Sequence, residues 1–327
     1  MTEKPPTAPA IELTPPDIEP YRSGNTGVPY VTTFDSGKIG PHAMICAIIH
    51  GNELCGAIAL DQLFQRDIRP QRGRFTLVFA NPDAYDQFDP THPTASRFVD
   101  EDLNRVWSPE VLAGSRASLE LERARALRPI VDTVDTLLDL HSMQSNGAPL
   151  ILSGPSTKGR NLAATLASPA VIVADSGHSA GTRLRDYGAF SDPDDGRNAL
   201  LVECGQHWRA DTAAVAVDTA YRFLVRLGMV DLDDAASHLL PAPAVPERWI
   251  DVTDAINMNH DDCRFSDDYA GLQVIPAAGT LIAMDGDREI RTPYDDCVLV
   301  MPARRLAPGQ TAVRLGRYVE MPVTDGN

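Results

Sequence analysis

The sequence has no apolar run long enough to cross a bilayer, and residues 1–20 lack the apolar core of a signal peptide. Its 5 cysteines include no C-x-x-C pair, which disfavours a disulfide framework and a thiolate zinc site and favours the cytoplasm. Basic residues are scarce, with 29 Lys and Arg against 45 Asp and Glu, so the formal net charge is −16. Phosphate backbones and anionic lipid repel such a chain, so we expect neither a nucleic-acid partner nor a membrane partner.

The composition is that of an ordinary globular protein, with 43% hydrophobic and 23% charged residues. A chain of 327 residues exceeds the size at which one core usually stops growing, which favours two domains. Proline and polar residues at the start predict an extended arm over residues 1–25. The pattern then predicts a large α/β domain over 26–240 and, after a proline-rich linker at 241–249, a small all-β domain over 246–327.

Strand and helix patterns alternate through the large predicted domain. Short apolar, β-branched runs predict strands at 28–34, 43–50, 74–81, 136–141, 149–153, 169–175 and 198–205, and helical spacing predicts helices at 54–66, 109–134, 158–168 and 211–227. This alternation indicates an α/β fold with a largely parallel sheet. Three polar residues, His50, His141 and Glu203, lie at the carboxyl ends of predicted strands. Open α/β sheets bind ligands at that edge, so we expect the three side chains to converge.

A metal site is predicted from His50-Gly-Asn-Glu53 together with His141. A histidine and a carboxylate three residues apart, at the turn that leaves a strand, can point at one ion. Hydrolytic zinc sites use three such ligands and leave a fourth position for water, whose pKa the zinc lowers to about 7. The pair H-x-x-E alone is common by chance, and its position at a strand end with a second histidine makes it informative.

Two further groups complete the predicted site. Glu203 ends an apolar strand, where a carboxylate is costly to bury unless it is paired or functional, and near the metal it is suited to proton transfer. Arg97 and the segment Asp102-Leu-Asn104-Arg105 lie in a long polar loop, and arginine binds carboxylates bidentately. The alternative for Arg105 is a simple ion pair with a neighbouring aspartate. Asp139 is suited to orienting His141, or is a structural acid.

These residues carry a family resemblance. The motifs HGNE (50–53), ANP (80–82), DLNR (102–105) preceded by Arg97, DLH (139–141) and VECG (202–205) occur in the order typical of the succinylglutamate desuccinylase/aspartoacylase family, which is related to zinc carboxypeptidases. The resemblance implies a zinc-carboxypeptidase-like mixed sheet flanked by helices, with a smaller C-terminal all-β domain. It also implies one Zn²⁺ per chain at His50, Glu53 and His141, Glu203 as general base, and substrate contacts from Arg97, Asn104 and Arg105.

The implied reaction is hydrolysis of the amide bond of a small, anionic N-acyl amino acid, or of a related amide, to a carboxylate and an amine. Two alternatives stay open, a metallocarboxypeptidase acting on short peptides and an inactive metal-binding homologue. The residue that reads the substrate side chain is also open: family members have an Arg and a Tyr before the catalytic Glu, and the candidates here are Arg183, Arg185, Tyr187, Arg197 and the C-terminal Tyr294. The oligomeric state is open, with a homo-oligomer as one alternative.

Overall fold

The computed structural model describes residues 10–177, 180–241, 248–304, 306 and 308–320. Its strands are β1 (Val31–Asp35), β2 (His42–Ala47), β3 (Arg74–Phe79), β4 (Thr136–Met143), β5 (Leu150–Leu152), β6 (Val171–Ala174), β7 (Asn198–Gln206), β8 (Arg248–Asn257), β9 (Arg264–Phe265), β10 (Gln273–Ile275), β11 (Leu281–Asp285), β12 (Arg288–Arg291), β13 (Cys297–Val300) and β14 (Thr311–Val319). Its α-helices are α1 (Leu54–Gln65), α2 (Pro82–Tyr85), α3 (Pro109–Ala113), α4 (Leu119–Val131), α5 (Thr157–Leu166), α6 (Ala210–Arg226) and α7 (Leu232–Ala235). None of these helices is long and apolar enough to span a bilayer.

A mixed sheet of 11 strands forms the centre of the fold, in the order β1-β3-β2-β4-β7-β5-β6-β8-β14-β13-β10. The strands β3, β2, β4 and β7 run parallel, whereas β1 joins β3 and β5 joins β7 in antiparallel fashion. The predicted fold class, a mixed α/β sheet flanked by helices with a C-terminal all-β part, is confirmed. The sheet is parallel through the part that carries His141 and Glu203.

Helices cover both faces of the parallel part of the sheet, which accounts for the continuous apolar strands. On β2, Ile45 packs in the core with α1 and α6, and Cys46 packs in the opposite core with α4. Gly56 permits α1 to lie close to the sheet, because a Cβ there would come within 2.8 Å of the Ala47 Cβ. Strands buried on both faces read as unbroken hydrophobic runs rather than as alternating ones.

Two of the differences from the sequence prediction concern a break within a helix and the start of a strand. The helix expected over 109–134 is two helices, because the first ends at Gly114 and Ser118 starts the second by accepting a hydrogen bond from the Leu121 amide. Strand β8 begins at Arg248, inside the segment predicted as a linker, and residues 242–247 lie outside the described residues.

The C-terminal strands continue the central sheet. Strand β8 pairs in parallel with β6, and β14, β13 and β10 follow it in antiparallel order. A second sheet, β12-β11-β9, lies in the same C-terminal part of the chain and has its own small core, shared with residues of β13 and β14. The C-terminal part is therefore all-β, as predicted, and joined to the large sheet by backbone hydrogen bonds.

Candidate active site

His50, Glu53 and His141 form a buried group whose ligand-type atoms all lie within 4.8 Å of one another. The Nδ1 atom of His50 is 2.7 Å from Oε1 of Glu53, and Nδ1 of His141 is 2.9 Å from Oε2 of the same carboxylate. The Ser142 amide also donates to Oε2 of Glu53 at 3.0 Å. Two imidazoles and one carboxylate thus point at one position, as the sequence predicted.

Strand ends and a tight turn hold the three residues. His50 follows β2, Glu53 is the residue before α1, and His141 lies near the end of β4, which is the parallel neighbour of β2. Between the first two, Gly51 packs against α2, the short helix after β3: a Cβ on Gly51 would lie 2.3 Å from the backbone carbonyl carbon of Ala84. Only glycine fits at that close approach of two backbones.

Each histidine ring also faces a second carboxylate. Nε2 of His50 is 2.9 Å from Oδ1 of Asp102, and Nε2 of His141 is 2.9 Å from Oδ2 of Asp139. Carboxylates of this kind orient metal-binding histidines and raise their basicity. Although burial opposes the charge, His50 and Arg97 hold the pKa of Asp102 well below its usual range. The sequence pointed to Asp139 for this position, whereas it suggested Asp102 only as a partner of Arg105.

The donor set fits a zinc ion. Two histidines and one glutamate, with room for water, form one of the ligand sets of hydrolytic zinc sites. Each imidazole has one nitrogen beside Glu53 and its other nitrogen beside an outer carboxylate, so each ring can present a neutral Nδ1 to a cation. Zinc itself stays a prediction.

Glu203 stands beside this group. It lies on β7, where its Cα is the register partner of the His141 Cα on β4. The residue is 7% exposed, and Oε2 has no hydrogen-bond partner among the described residues. Burial and the neighbouring Glu53 carboxylate raise the pKa of Glu203 to about 8. A buried carboxyl with a free oxygen at a cavity wall is suited to accept and release a proton.

The predicted arginine loop reaches the same position. Nη2 of Arg97 is 2.8 Å from Nε2 of His50 and 3.2 Å from Oδ2 of Asp102. Nη2 of Arg105 is 3.7 Å from the same Asp102 oxygen, so the expected alternative of a neighbouring ion pair is also present. Asn104 accepts a hydrogen bond from the Leu184 amide at 2.8 Å through its side-chain oxygen. All three predicted loop residues line one cavity with the metal group.

A buried glutamate that sequence reasoning missed holds this loop. The Glu120 carboxylate, at the start of α4, accepts hydrogen bonds from the amides of Val99, Asp100 and Glu101 at 2.7–3.2 Å. It also accepts one from the side chain of Asn81. In the sequence Glu120 reads as an ordinary acidic residue in the first turn of a helix, so only the fold shows its role.

The cavity has a volume of about 470 Å³ and takes its walls from both parts of the chain. The large sheet and its loops supply the metal group, Glu203 and the arginine loop. The C-terminal part supplies residues from the loop after β13 and from β14: Met301, Pro302, Ala303, Arg304, Gly309, Gln310, Thr311 and Arg314. Among these, Arg314 is buried, and no motif in the sequence singles it out.

The candidates for reading the substrate side chain are mostly engaged elsewhere. Arg183 binds Asp175 with both terminal nitrogens, at 3.0 and 2.8 Å. The Arg185 guanidinium donates to Asp186 and to backbone carbonyls.

The other three candidates lie away from the cavity. Arg197 pairs with Asp195, and the Tyr187 hydroxyl donates to Asp132. Tyr294 contacts Thr253 and lies under the Arg317 guanidinium, at 3.5 Å from the ring centroid. Of the five candidates, only Arg183 lines the cavity.

A buried histidine also borders the cavity. Nδ1 of His207 is 2.8 Å from Oγ of Ser142, and its Nε2 has no hydrogen-bond partner among the described residues. Burial lowers the pKa of His207 to about 4, so the ring is neutral at physiological pH. No feature of the sequence identifies this histidine as a lining residue, since it follows the VECG motif in an otherwise unremarkable strand end.

Known proteins resemble the chain in both sequence and fold. The sequence profile of the succinylglutamate desuccinylase/aspartoacylase catalytic domain matches residues 39–226. An N-acyl-aromatic-L-amino acid amidohydrolase (carboxylate-forming) from Xenopus laevis is 33% identical over 128 residues, which cover 36% of this chain and 39% of that protein. An aspartoacylase from Danio rerio is 30% identical over 115 residues, covering 32% of this chain and 34% of that protein. The chain thus aligns with little more than a third of these curated relatives.

Solved structures share the fold over nearly the whole chain. A succinylglutamate desuccinylase from Vibrio cholerae superposes with a TM-score of 0.65 at 19% identity, covering 91% of this chain and 88% of that one. A succinylglutamate desuccinylase/aspartoacylase from Rhodobacter sphaeroides gives 0.64 at 16% identity, with 89% of each chain covered. Because the profile match extends over more than half of the sequence, the chain belongs to the succinylglutamate desuccinylase/aspartoacylase family.

Proposed function

We propose that this protein is a zinc-dependent hydrolase that cleaves the amide bond of a small N-acyl amino acid to a carboxylate and an amine. The observation that carries the proposal is Glu203, whose free carboxyl oxygen shares a cavity with the group of His50, Glu53 and His141. Family membership supports it, as do the relatives named as an amidohydrolase and an aspartoacylase.

Zinc would be held by Nδ1 of His50, the Glu53 carboxylate and Nδ1 of His141. When bound, the ion supplies Lewis acidity that activates water and polarises a carbonyl oxygen. Asp102 and Asp139, whose oxygens lie 2.9 Å from Nε2 of His50 and of His141, would then orient the two rings. The positive charge of the ion would also lower the pKa of Glu203 from the raised value set by burial and Glu53, and so supply the ionised base near neutral pH.

Side chains of the protein carry out proton transfer, charge stabilisation and substrate binding. Glu203 takes a proton from the attacking water and delivers it to the leaving nitrogen. The Arg97 guanidinium, already beside the metal group, stabilises the negative charge that develops on the carbonyl oxygen. Arg105 anchors a substrate carboxylate. Asn104 contributes through its side-chain nitrogen, because its oxygen is already bonded to the Leu184 amide.

The shape of the cavity favours a small substrate over a peptide. The loop after β13 and strand β14 border the metal group's cavity, and its volume of about 470 Å³ is within the range typical of small-molecule sites. A carboxypeptidase needs a cleft that stays open for the rest of the peptide. The volume supports a site for a small molecule, and assays on short peptides separate this function from the carboxypeptidase alternative.

A serine esterase is a poor alternative, although the stretch 177–181 reads G-H-S-A-G. The nucleophile elbow with the pattern G-x-S-x-G requires a sharp turn from a strand directly into a helix. Here Gly181 is followed by Thr182, which bridges to Val106, and then by two short 3-10 turns. The second and third residues of the motif, His178 and Ser179, lie outside the described residues, and the described chain after Gly181 does not enter a helix of the required kind.

Two variants test this proposal. Glu203→Gln should keep zinc at one ion per chain and lower kcat by about 10²–10⁴-fold, because it removes the proton acceptor and no ligand. His141→Ala should lose both zinc and turnover. Metal content and hydrolysis of N-acetyl, N-formyl and N-succinyl amino acids are measured on the same preparations, with short peptides alongside. A zinc-loaded Glu203→Gln protein with undiminished turnover contradicts the assignment, and cleavage of peptides alone favours the carboxypeptidase.

A further inference from the structure

His207 presents an unpaired polar atom to the active-site cavity. The residue is 1% exposed, directly follows β7, and lines the cavity together with the metal group. Its Nε2 has no hydrogen-bond partner among the described residues, although burial without a partner is costly for a polar atom. No step of the proposed hydrolysis uses this atom. A buried ring nitrogen at a cavity wall is suited to bind part of a ligand.

Two hydrogen bonds hold His207 in place and favour one tautomer. Its amide donates to the Met143 carbonyl at 2.8 Å, and its Nδ1 is 2.8 Å from Oγ of Ser142. Within the described part of the chain, the Ser142 hydroxyl has Nδ1 as its one acceptor, so its proton is best placed toward Nδ1. In the neutral ring the other proton then lies on Nε2, and the cavity faces an N–H donor.

His207 lies on the face of the sheet that α1 and α6 cover. Trp208, the next residue, packs in the core with those helices, and its Nε1 donates to the Asn52 carbonyl at 3.2 Å. Asn52 belongs to the turn between the metal-binding candidates His50 and Glu53. His207 thus approaches the metal group from the side of α1.

The cationic wall of the cavity lies on the other face of the sheet. Leu103 and Leu184, which pack in the opposite core with α4, lie within two residues of the lining residues Arg105 and Arg183. Arg314, which also lines the cavity, shares an aspartate with Arg183. The cavity therefore has a cationic wall and, across the edge of the sheet, a wall with a neutral donor.

This asymmetry orients the substrate. The proposed function places a substrate carboxylate at Arg105, and in an N-acetyl or N-formyl amino acid the α-carboxylate belongs to the amine half. With the scissile carbonyl at the metal group, the acyl half extends to the opposite side, where His207 lies. A hydrocarbon acyl chain there would cover the Nε2–H and leave it unpaired, which is unfavourable for a buried donor.

We propose that His207 donates a hydrogen bond from Nε2 to the acyl half of the substrate, so that acyl groups with a neutral oxygen acceptor are preferred over hydrocarbon chains of the same size. This inference rests on the proposed function and names the class of acyl group. A site that contains a buried donor discriminates strongly against an isostere without the matching acceptor. His207 is thus a specificity residue on the acyl side of the metal group.

The competing role for His207 is structural, as a support for Ser142. The Ser142 amide donates to the Glu53 carboxylate at 3.0 Å, so a displaced Ser142 disturbs the metal group. A disturbance of that kind lowers the rate on all substrates equally, because it recognises no acyl group. Isosteric acyl groups therefore separate the two roles.

The experiment measures kcat and KM of the zinc-loaded enzyme on the N-butanoyl, N-methoxyacetyl and N-3-hydroxypropanoyl derivatives of one L-amino acid. These acyl groups have equal numbers of non-hydrogen atoms and differ in whether and where an oxygen replaces a carbon. The wild type should prefer at least one oxygen-bearing substrate over the butanoyl substrate by about tenfold or more in kcat/KM. Inductive activation by the oxygen is the same in every variant, so the decisive quantity is the change of this preference on substitution.

Two substitutions of His207 separate its two nitrogens. Asparagine places its amide near the position of Nδ1, keeps the contact with Ser142 and does not reach the cavity, so His207→Asn should lose most of the preference. Glutamine places its amide near the position of Nε2, so His207→Gln should keep the preference within about threefold of wild type. The control His92→Asn changes an exposed histidine and should alter the preference less than about twofold.

A further variant keeps the test decisive if His207→Asn does not fold. His207→Phe keeps a planar ring and removes the donor, so it should also lose the preference. Circular dichroism and zinc content establish that the compared variants are folded and loaded. Equal losses on all three substrates, or an unchanged preference in His207→Asn or His207→Phe, overturn the proposal.

A binding measurement separates this proposal from the proposed function. Calorimetry on the zinc-loaded protein compares butanoate, methoxyacetate and 3-hydroxypropanoate, which carry the same three chains. Tighter binding of an oxygen-bearing anion by about tenfold, lost in His207→Asn, supports the role of His207 even if no amide is hydrolysed. A difference that persists in His207→Asn reflects chelation of the metal and overturns the proposal, as do equal affinities. Hydrolysis of N-acyl amino acids without the preference overturns it and leaves the proposed function in place.

Discussion

Asp102 connects the metal group to the arginine loop, and replacing it with asparagine tests how the site is organised. Its carboxylate lies 2.9 Å from Nε2 of His50, 3.2 Å from Nη2 of Arg97 and 3.7 Å from Nη2 of Arg105. Asparagine keeps one acceptor oxygen and nearly the same shape, but it removes the negative charge. Loss of such an outer carboxylate weakens metal binding by about 10–100-fold, which corresponds to roughly 1.4–2.7 kcal/mol.

Two effects are expected from Asp102→Asn. His50 becomes a weaker zinc ligand, and Arg97 loses the charge that holds it beside the site, so kcat/KM falls further than the loss of zinc occupancy alone would cause. Competition with a chelator gives the zinc Kd, and rates are measured at saturating zinc. The control Asp100→Asn changes a neighbouring exposed aspartate that accepts from the Leu119 amide. A zinc Kd for Asp102→Asn within about twofold of wild type would refute the role given to this carboxylate.

Two further variants test the turn and the buried histidine. Gly51→Ala forces a Cβ into the Ala84 backbone, so it should lower the free energy of unfolding by about 1–3 kcal/mol and weaken zinc binding. The control Gly196→Ala, whose Cβ would meet nothing within 4 Å, should do neither. Equal melting temperatures and zinc affinities for the two variants would contradict this. Because burial lowers the pKa of His207 from 6.5 to about 4, the unfolded chain binds the proton first, and stability is lost as pH falls through that window, by up to about 3 kcal/mol. The stability of metal-free His207→Gln, measured relative to wild type by melting curves, should therefore be greater at pH 4.5 than at pH 7.5. The exposed control His92→Gln should show no such gain.

The sequence predicts the parallel part of the fold and the metal group well. The apolar runs of β2, β4 and β7 are continuous because helices cover both faces, and continuous runs that alternate with helices are typical of a parallel α/β sheet. Polar residues at the ends of such strands must converge, because the strands are parallel neighbours. The register pairing of His141 with Glu203 follows from this arrangement and needs no knowledge of the loops.

The rest of the site depends on contacts between distant segments that carry no local signal. Arg314 lies in a β-strand that carries no recognisable motif, and nothing nearby in sequence shows that Asp175 is already engaged by Arg183. The roles of Asp102 and Glu120 likewise arise only when a loop folds back onto a helix and a histidine. The start of strand β8 is hard to predict because prolines, which favour a linker, immediately precede it.

The pairing of β6 with β8 has a consequence for how this protein can be divided. Four registered residue pairs join the two strands, from Val171 with Arg248 to Ala174 with Asp251. A chain cut near residue 240 would leave the apolar strand β6 as an open sheet edge, which recruits other chains and promotes aggregation. It would also lack the wall that carries Arg314. Function and solubility thus depend on the same C-terminal strands. Neither part of the chain can be exchanged between relatives unless the pairing of β6 with β8 is kept.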